Sequence, residues 1–178
     1  MVAKSVRACD GLSLLECVIV CAVLAALMIS TPSLKSLMDR SRVNLACSEF
    51  HQAILVARSE AIRRRMRVDI VPAAARDWRS GWVVLIDANN NQQLDPGELL
   101  IHRSETDLKD LFVETKLRDK QGSYLAFAPS GRPRSANNAN IPQIGSLVFT
   151  VGSARRKLVI SFLGRVRLCD PDREASAC

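Results

Sequence analysis

Gly11-Leu12-Ser13-Leu14-Leu15-Glu16 stands where a short polar leader gives way to a long apolar run. The leader, residues 1–11, carries Lys4 and Arg7, a positive start. From Cys17 to Ile29 every residue is apolar, and with Leu12, Leu14 and Leu15 in front the run approaches the ~20 residues that span a bilayer. A carboxylate at the mouth of such a segment is expensive to hold, so Glu16 is read as having a job. An ordinary secretory signal also joins basic, apolar and small-residue regions. Three features count against that alternative: Ser30-Thr31-Pro32 lacks a clean small-x-small site before it, Glu16 interrupts the apolar region, and the helical pattern continues far beyond Pro32. A lipoprotein reading fails because Val20 precedes Cys21 and Glu16 precedes Cys17, where a small residue is wanted.

Outward from this junction, residues 12 to about 66 read as one long helix with Pro32 as a kink inside it. Val43, Ala46, Cys47, Phe50, Ile54, Ala57 and Ala61 follow an i, i+3, i+4, i+7 stripe, which should pack on a sheet. The other face carries Arg40, Arg42, Glu49, Arg58, Arg63, Arg64 and Arg65. Such a helix spans on the order of 80 Å. In a chain of 178 residues a single modest domain covers only its second half, so lipid or a neighbouring subunit must bury the first.

After Arg67 the pattern changes to short β-like runs: Val68–Val71, Gly81–Asp87, Glu98–His102, Phe112–Leu117, Tyr124–Phe127, Leu147–Val151, Leu158–Phe162 and Arg165–Cys169. Turn signals rich in Pro, Gly and Asn separate them. The stretch from Ser130 to Gly145, poor in hydrophobics and rich in Asn and Pro, reads as a mobile loop. The fold class is α+β, a long N-terminal helix packed on an antiparallel β-sheet domain.

A small residue, an apolar residue and a Glu five positions after the Gly together resemble the processing site of type IV prepilins. The resemblance implies that prepilin peptidase cuts after Gly11, that the freed amine of Leu12 is methylated, and that Glu16 neutralises the Leu12 amine of an adjacent subunit during assembly. A second stretch sharpens it. Asp77-Trp78-Arg79-Ser80-Gly81-Trp82-Val83-Val84-Leu85-Ile86-Asp87-Ala88-Asn89-Asn90-Asn91, followed by Asp95-Pro96-Gly97-Glu98-Leu99-Leu100, is similar to the hairpin of the GspH/FimT group of minor pilins and pseudopilins. With Ala57-Arg58-Ser59-Glu60-Ala61-Ile62 on the helix, the likeness, nearest to FimT, covers almost the whole mature chain. It implies a type IV pilin-like organisation: a leader at 1–11, a transmembrane half-helix at 12–34, an amphipathic half at 35–67, and a periplasmic β domain with a tail at 68–178. The implied location is the inner membrane, single-pass, and the pilus once assembled. The implied partners are inner-membrane lipid, prepilin peptidase and other pilins or pseudopilins.

The formal charge of +7 suits an anionic partner such as nucleic acid or lipid headgroups without selecting between them. Aromatics are scarce at 4%, which does not support a stacking platform for single-stranded bases. In Gly164-Arg165-Val166-Arg167-Leu168-Cys169, a strand would set Arg165 and Arg167 side by side about 6.6 Å apart, a pairing that suits successive phosphates. Gly131-Arg132-Pro133-Arg134 repeats the spacing in a loop, and Arg155-Arg156-Lys157 adds a basic turn. The Gly-Arg-x-Arg element resembles the one associated with DNA binding in FimT-type minor pilins, and by position that implicates Arg165 and Arg167. A solvated edge strand whose charges block aggregation stands as the alternative. Arg63-Arg64-Arg65 and Arg67 read as a solvated helix end, where cations are favoured.

The periplasmic setting that the resemblance implies favours a Cys169–Cys178 disulfide, which would pin a polar tail. Cysteine spacing for zinc is missing. Asp87, Asn89, Asn91, Asp95 and Glu98 occupy positions 1, 3, 5, 9 and 12 of a Ca²⁺-loop pattern, but Gln92 stands where the sharp turn needs Gly, and Asn and Asp also serve as plain turn formers. His51 and His102 show no nucleophile context, and no Gly-x-Ser-x-Gly, Walker loop or HExxH occurs, so neither an enzyme nor a cofactor is expected. The reading is a FimT-like minor type IV pilin that binds double-stranded DNA non-specifically and supports natural transformation and pilus assembly. The alternatives are a GspH-type minor pseudopilin of type II secretion and a purely structural pilin.

Overall fold

The computed structural model describes residues 13–29, 31–74, 76–104, 110–119, 124–138, 140–173 and 178; Gly11 and Leu12 lie outside them. The chain divides into two compact units, Met1–Leu37 and Met38–Cys178. In the first, α1 spans Leu14–Ile29. The Ser13 carbonyl opens it by accepting the N–H groups of Glu16 (2.9 Å) and Cys17 (3.2 Å). Glu16 falls in the first turn, where unsatisfied N–H groups favour an anion. Residues 13–25 are all exposed, Leu14, Leu15, Val18, Ile19, Val20, Val23 and Leu24 among them. Among the described residues no helix is long and apolar enough to cross a membrane.

Within the helix expected to residue 66, α1 is followed by α2, Thr31–Arg64, and Ser30 between them lies outside the described residues. Arg65, in the left-handed region at φ 55°, ends the helix.

Among the described residues of the second unit, nine strands form two antiparallel sheets. They are β1 Val68–Ala74, β2 Asp77–Ile86, β3 Leu99–Arg103, β4 Leu111–Leu117, β5 Leu125–Phe127, β6 Pro133–Arg134, β7 Gly145–Val151, β8 Ala154–Ile160 and β9 Val166–Cys169. The first sheet runs in the order β3-β2-β1-β5-β6 and the second β4-β7-β8-β9. The expected stripe of α2 is buried in full, with Ala53 added to it. Phe50 is its centre, with ring centroids 5.4 Å from Trp78 and 5.0 Å from Trp82 on β2, and 5.4 Å from Phe149 on β7. Edge-on and tilted packing of this kind lets each ring present its positive edge to a neighbour's face.

All eight expected runs are strands; β6 is the addition. It lies inside the Ser130–Gly145 stretch, expected as a mobile loop, and it pairs with β5. The buried Tyr124 hydroxyl organises this stretch: it donates to Asp119 Oδ2 (2.5 Å) and accepts from the Ala136 N–H (2.8 Å), while Ser135 Oγ donates to the same Asp119 oxygen (2.7 Å). A second correction concerns Arg155, Arg156 and Lys157, which lie within β8 rather than in a turn. The turn is the preceding Gly152-Ser153, with Gly152 at φ 55°.

Arg67 corrects a third expectation. It is no part of a solvated helix end, because the chain turns inward after Arg65 and buries it. Its fork donates Nε to Asp69 Oδ1 (2.9 Å) and Nη2 to Asp69 Oδ2 (2.6 Å). Nη1 reaches Asn90 Oδ1 (2.7 Å) and the Ala136 carbonyl (3.5 Å), and Nη2 the Asp87 carbonyl (3.2 Å). One guanidinium thus ties the start of β1, the β2–β3 loop and the segment after β6. Burial pushes the Asp69 carboxyl up to about 7 while Arg67 pulls against it. Arg67→Lys keeps the charge but loses the fork, so it should lower unfolding stability by about 3 kcal/mol in urea titrations. Arg79→Lys, on the exposed Arg79–Asp77 pair, should leave the midpoint unchanged. Equal midpoints for the two variants would remove Arg67 from this role.

Candidate functional site

The two Gly-Arg dipeptides occupy the same kind of turn. Between β8 and β9, Gly164 N–H donates to the Ser161 carbonyl (2.9 Å) and Ser161 N–H to the Arg165 carbonyl (2.9 Å), with Gly164 at φ 76°. Between β5 and β6, Gly131 N–H donates to the Ala128 carbonyl (2.8 Å) and Ala128 N–H to the Arg132 carbonyl (2.9 Å), with Gly131 at φ 73°. Each is a β-turn followed by a left-handed glycine, a hairpin closure that puts the next residue, an Arg, at the base of the returning strand. The turns touch: a β-carbon on Gly164 would lie 3.1 Å from the Gly131 carbonyl oxygen and 3.3 Å from Pro133. Helix α2 closes the corner, because Arg58 Nη1 donates to the Gly164 carbonyl (3.3 Å). A β-carbon on Gly131 would lie 2.8 Å from Ile62 Cδ1.

The expected cations divide by environment. Arg165 and Arg167 are exposed, and neither guanidinium has a hydrogen-bond or ion-pair partner among the described residues. Arg167 pairs in register with Val159 on the outer face of β9, an edge strand, while Val166 packs on the core. Arg165 lies one residue before β9, in the turn rather than in the strand as expected. Arg132 is exposed and stacks over the Phe162 ring, 5.6 Å from its centroid.

Arg134 lines one pocket with Arg132 and Phe162 but does not share the exposure of Arg132. It is half-buried, donating to the Ser135 carbonyl (3.0 Å) and the Ala136 carbonyl (3.4 Å). Burial, with Arg67 nearby, lowers its pKa. The three cations of β8 are engaged by the tail. Arg155 pairs with Asp172, Arg156 pairs with Asp170 (2.6 Å) and donates to Asn44 Oδ1 of α2 (2.6 Å), and Lys157 Nζ donates to the Cys178 carbonyl (3.1 Å). Cys169 and Cys178 form the expected disulfide, with Cα atoms 5.9 Å apart. Cys47 is buried, and burial pushes its thiol up to about 12, so it packs as a small apolar group.

The Asp/Asn loop spends its oxygens on its own turn. Asp87 Oδ1 accepts from the N–H groups of Asn90 (2.6 Å) and Asn91 (3.2 Å), and Oδ2 from Gln92 (2.9 Å). Asp95 Oδ2 accepts from the amides of Asn89 (2.7 Å) and Asn91 (2.5 Å). Glu98 accepts from the backbone of Ala88 (3.0 Å) and Asp95 (3.2 Å). Among the described residues no three His, Cys, Asp or Glu side chains assemble as a metal site. The geometry therefore favours turn formation over the Ca²⁺-loop reading.

Sequence reasoning missed the parts of Arg58, Phe162, Asp170 and Asp172. The repeat of Gly-Arg was the available signal for the joined turns.

Residues 46–164 match the family described as Type II transport protein GspH, a match that stops just before Arg165. Pilin-like protein PilA1 of Thermus thermophilus is 30% identical over 161 residues, 89% of this chain and 97% of that protein. Crystal structures of the type IV minor pilin FimU of Pseudomonas aeruginosa, in two crystal forms, are similar in fold. One has a TM-score of 0.58 and 18% identity over 77% of this chain and 95% of that one. The other has a TM-score of 0.54 and 20% identity over 73% and 94%. An N-terminal helix laid on antiparallel sheets, the matched segment and a pilin-like relative agree: the chain belongs to the GspH family of type IV minor pilins and pseudopilins.

Proposed function

We propose that this chain is a minor type IV pilin that holds double-stranded DNA through its phosphates, without reading sequence, and so supports natural transformation and pilus assembly. The observation that carries this reading is the pair of exposed guanidiniums at Arg165 and Arg167, without a partner among the described residues, beside Arg132 on the joined turns. A planar fork suits the two anionic oxygens of a phosphate. Contacts to phosphate position the duplex and carry no base information. Pilus retraction would then draw DNA inward.

The N-terminal part of the proposal rests on Glu16. Prepilin peptidase would cut after Gly11, and Leu12 would become the methylated N-terminus. The apolar side chains that α1 leaves exposed would be covered by inner-membrane lipid before assembly and by other pilins in the filament, with the β domain in the periplasm. Glu16 would meet the Leu12 amine of the next subunit, offsetting the desolvation of both charges. The roles are structural and need no catalytic group. A second reading, a minor pseudopilin of type II secretion, draws on the GspH family match, which covers the scaffold and omits Arg165 and Arg167.

Two measurements test these roles. The detergent-solubilised full chain is titrated with a short duplex at several salt concentrations. Two or three phosphate contacts give a slope of log K on log salt between about −1.8 and −2.7. Arg165→Gln/Arg167→Gln should abolish binding with the fold intact. Absence of wild-type binding at low salt would shift the function to secretion or to a purely structural subunit. Glu16→Ala should leave the β domain folded and reduce recovery of the subunit in sheared filaments; normal recovery would defeat the charge-pairing role.

A further inference from the structure

The register of β8 and β9 lines up more cations than the open pair. Arg167 lies opposite Val159, and Cys169 opposite Lys157, with no bulge between them. Residues opposite one another share a face, so Lys157 is a diagonal neighbour of Arg167. Arg155 follows two residues beyond Lys157, and Arg165 stands two residues before Arg167. The outer face therefore carries a row, Arg165, Arg167, Lys157, Arg155, with neighbours roughly 6–8 Å apart. Arg156 points the other way, toward Asn44.

The tail occupies half of this row. Asp172 pairs with Arg155, and the Cys178 carbonyl accepts from Lys157 (3.1 Å). The Cys169–Cys178 disulfide holds the strap in place, and Asp170 anchors its near end through Arg156 (2.6 Å). A carboxylate and a carbonyl oxygen are here presented to two cations as phosphodiester oxygens would be. The Arg155–Asp172 pair is half exposed on both sides, 50% and 45%, so water and salt weaken it.

We propose that the whole row is one track for the phosphodiester backbone of DNA, and that the tail is a built-in competitor that keeps DNA off its far half while Asp172 and the Cys178 carbonyl hold Arg155 and Lys157. The inference rests on the DNA reading of Arg165 and Arg167 and adds its regulation. Because the disulfide tethers Cys178, the competitor acts at high local concentration and leaves a duplex only the open half.

The test compares the full chain in detergent with Asp172→Asn and with Cys169→Ser/Cys178→Ser, each titrated with the same short duplex across salt. Both uncovered variants should bind more tightly, and the Cys169→Ser/Cys178→Ser slope should steepen by about 1.8, two further phosphates. Adding Arg155→Gln/Lys157→Gln to that variant should return the wild-type slope. Wild type and uncovered variants sharing one affinity and slope would overturn the track while leaving the Arg165 and Arg167 reading intact. Binding by the uncovered variants alone would uphold the track and defeat the open-pair reading. No binding by any of them at low salt would defeat both.

Discussion

Phe50 is the residue on which both sheets depend. Its ring is fully buried and meets Trp78 and Trp82 of β2 on one side and Phe149 of β7 on the other. The stripe it belongs to runs from Val43 to Ala61, about 27 Å of helix, more than one small sheet of short strands covers. Two sheets laid along one helix solve that problem, and the alanines at 46, 53, 57 and 61 let the backbones come close. The functional corner is a consequence. Because α2 runs under both sheets, a hairpin from each ends over its C-terminal turns, where Arg58 meets both glycines and Ile62 meets Gly131.

On that scaffold, one residue type performs four tasks, decided by where the backbone leaves it. Arg67 is turned inward and becomes a fold-closing bridge with its donors spent. Arg132 lies flat on an aromatic ring. Arg155 and Arg156 are neutralised by the tail. Arg167 on the edge strand β9 and Arg165 in the turn before it keep their forks open among the described residues. An edge with unpaired cations also resists pairing with another strand, so protection against aggregation and readiness for phosphate are served by the same geometry. The row across β8 and β9 goes beyond edge protection, since Lys157 and Arg155 stand on an interior strand.

Much of this was legible in the sequence because the signals are local. Helical periodicity located the buried stripe, and Gly, Asn and Pro punctuation located eight strands. Most of the misses share a cause: partners outside the local window. The two-residue β6 has no periodicity, and its place is set by its hairpin with β5 and by the Tyr124 hydroxyl before it. Arg67 looks like Arg63, Arg64 and Arg65 in sequence; only the left-handed Arg65 separates it from them. The Asp/Asn loop was ambiguous because cation ligation and turn capping both want side-chain oxygens on alternate residues. The β8 cations were read as a turn because Gly152-Ser153 precedes them, and nothing local announces that Asp170, Asp172 and Cys178 come back to cover them.

The family match covers residues 46–164 and does not include Arg165 and Arg167. The edge that carries them is lightly tied to the fold. Strand β9 pairs only with β8, and it contributes only partly buried Val166 to the main core besides the disulfide-bonded Cys169. Substituting the outward residues 165 and 167 therefore disturbs little of the packing that makes the fold. A helix-and-sheets body can be kept while this edge is rewritten for phosphate, for another subunit or for neither. Membership in the family accordingly constrains the body, and the function of each member has to be read from the chemistry of its edge and tail.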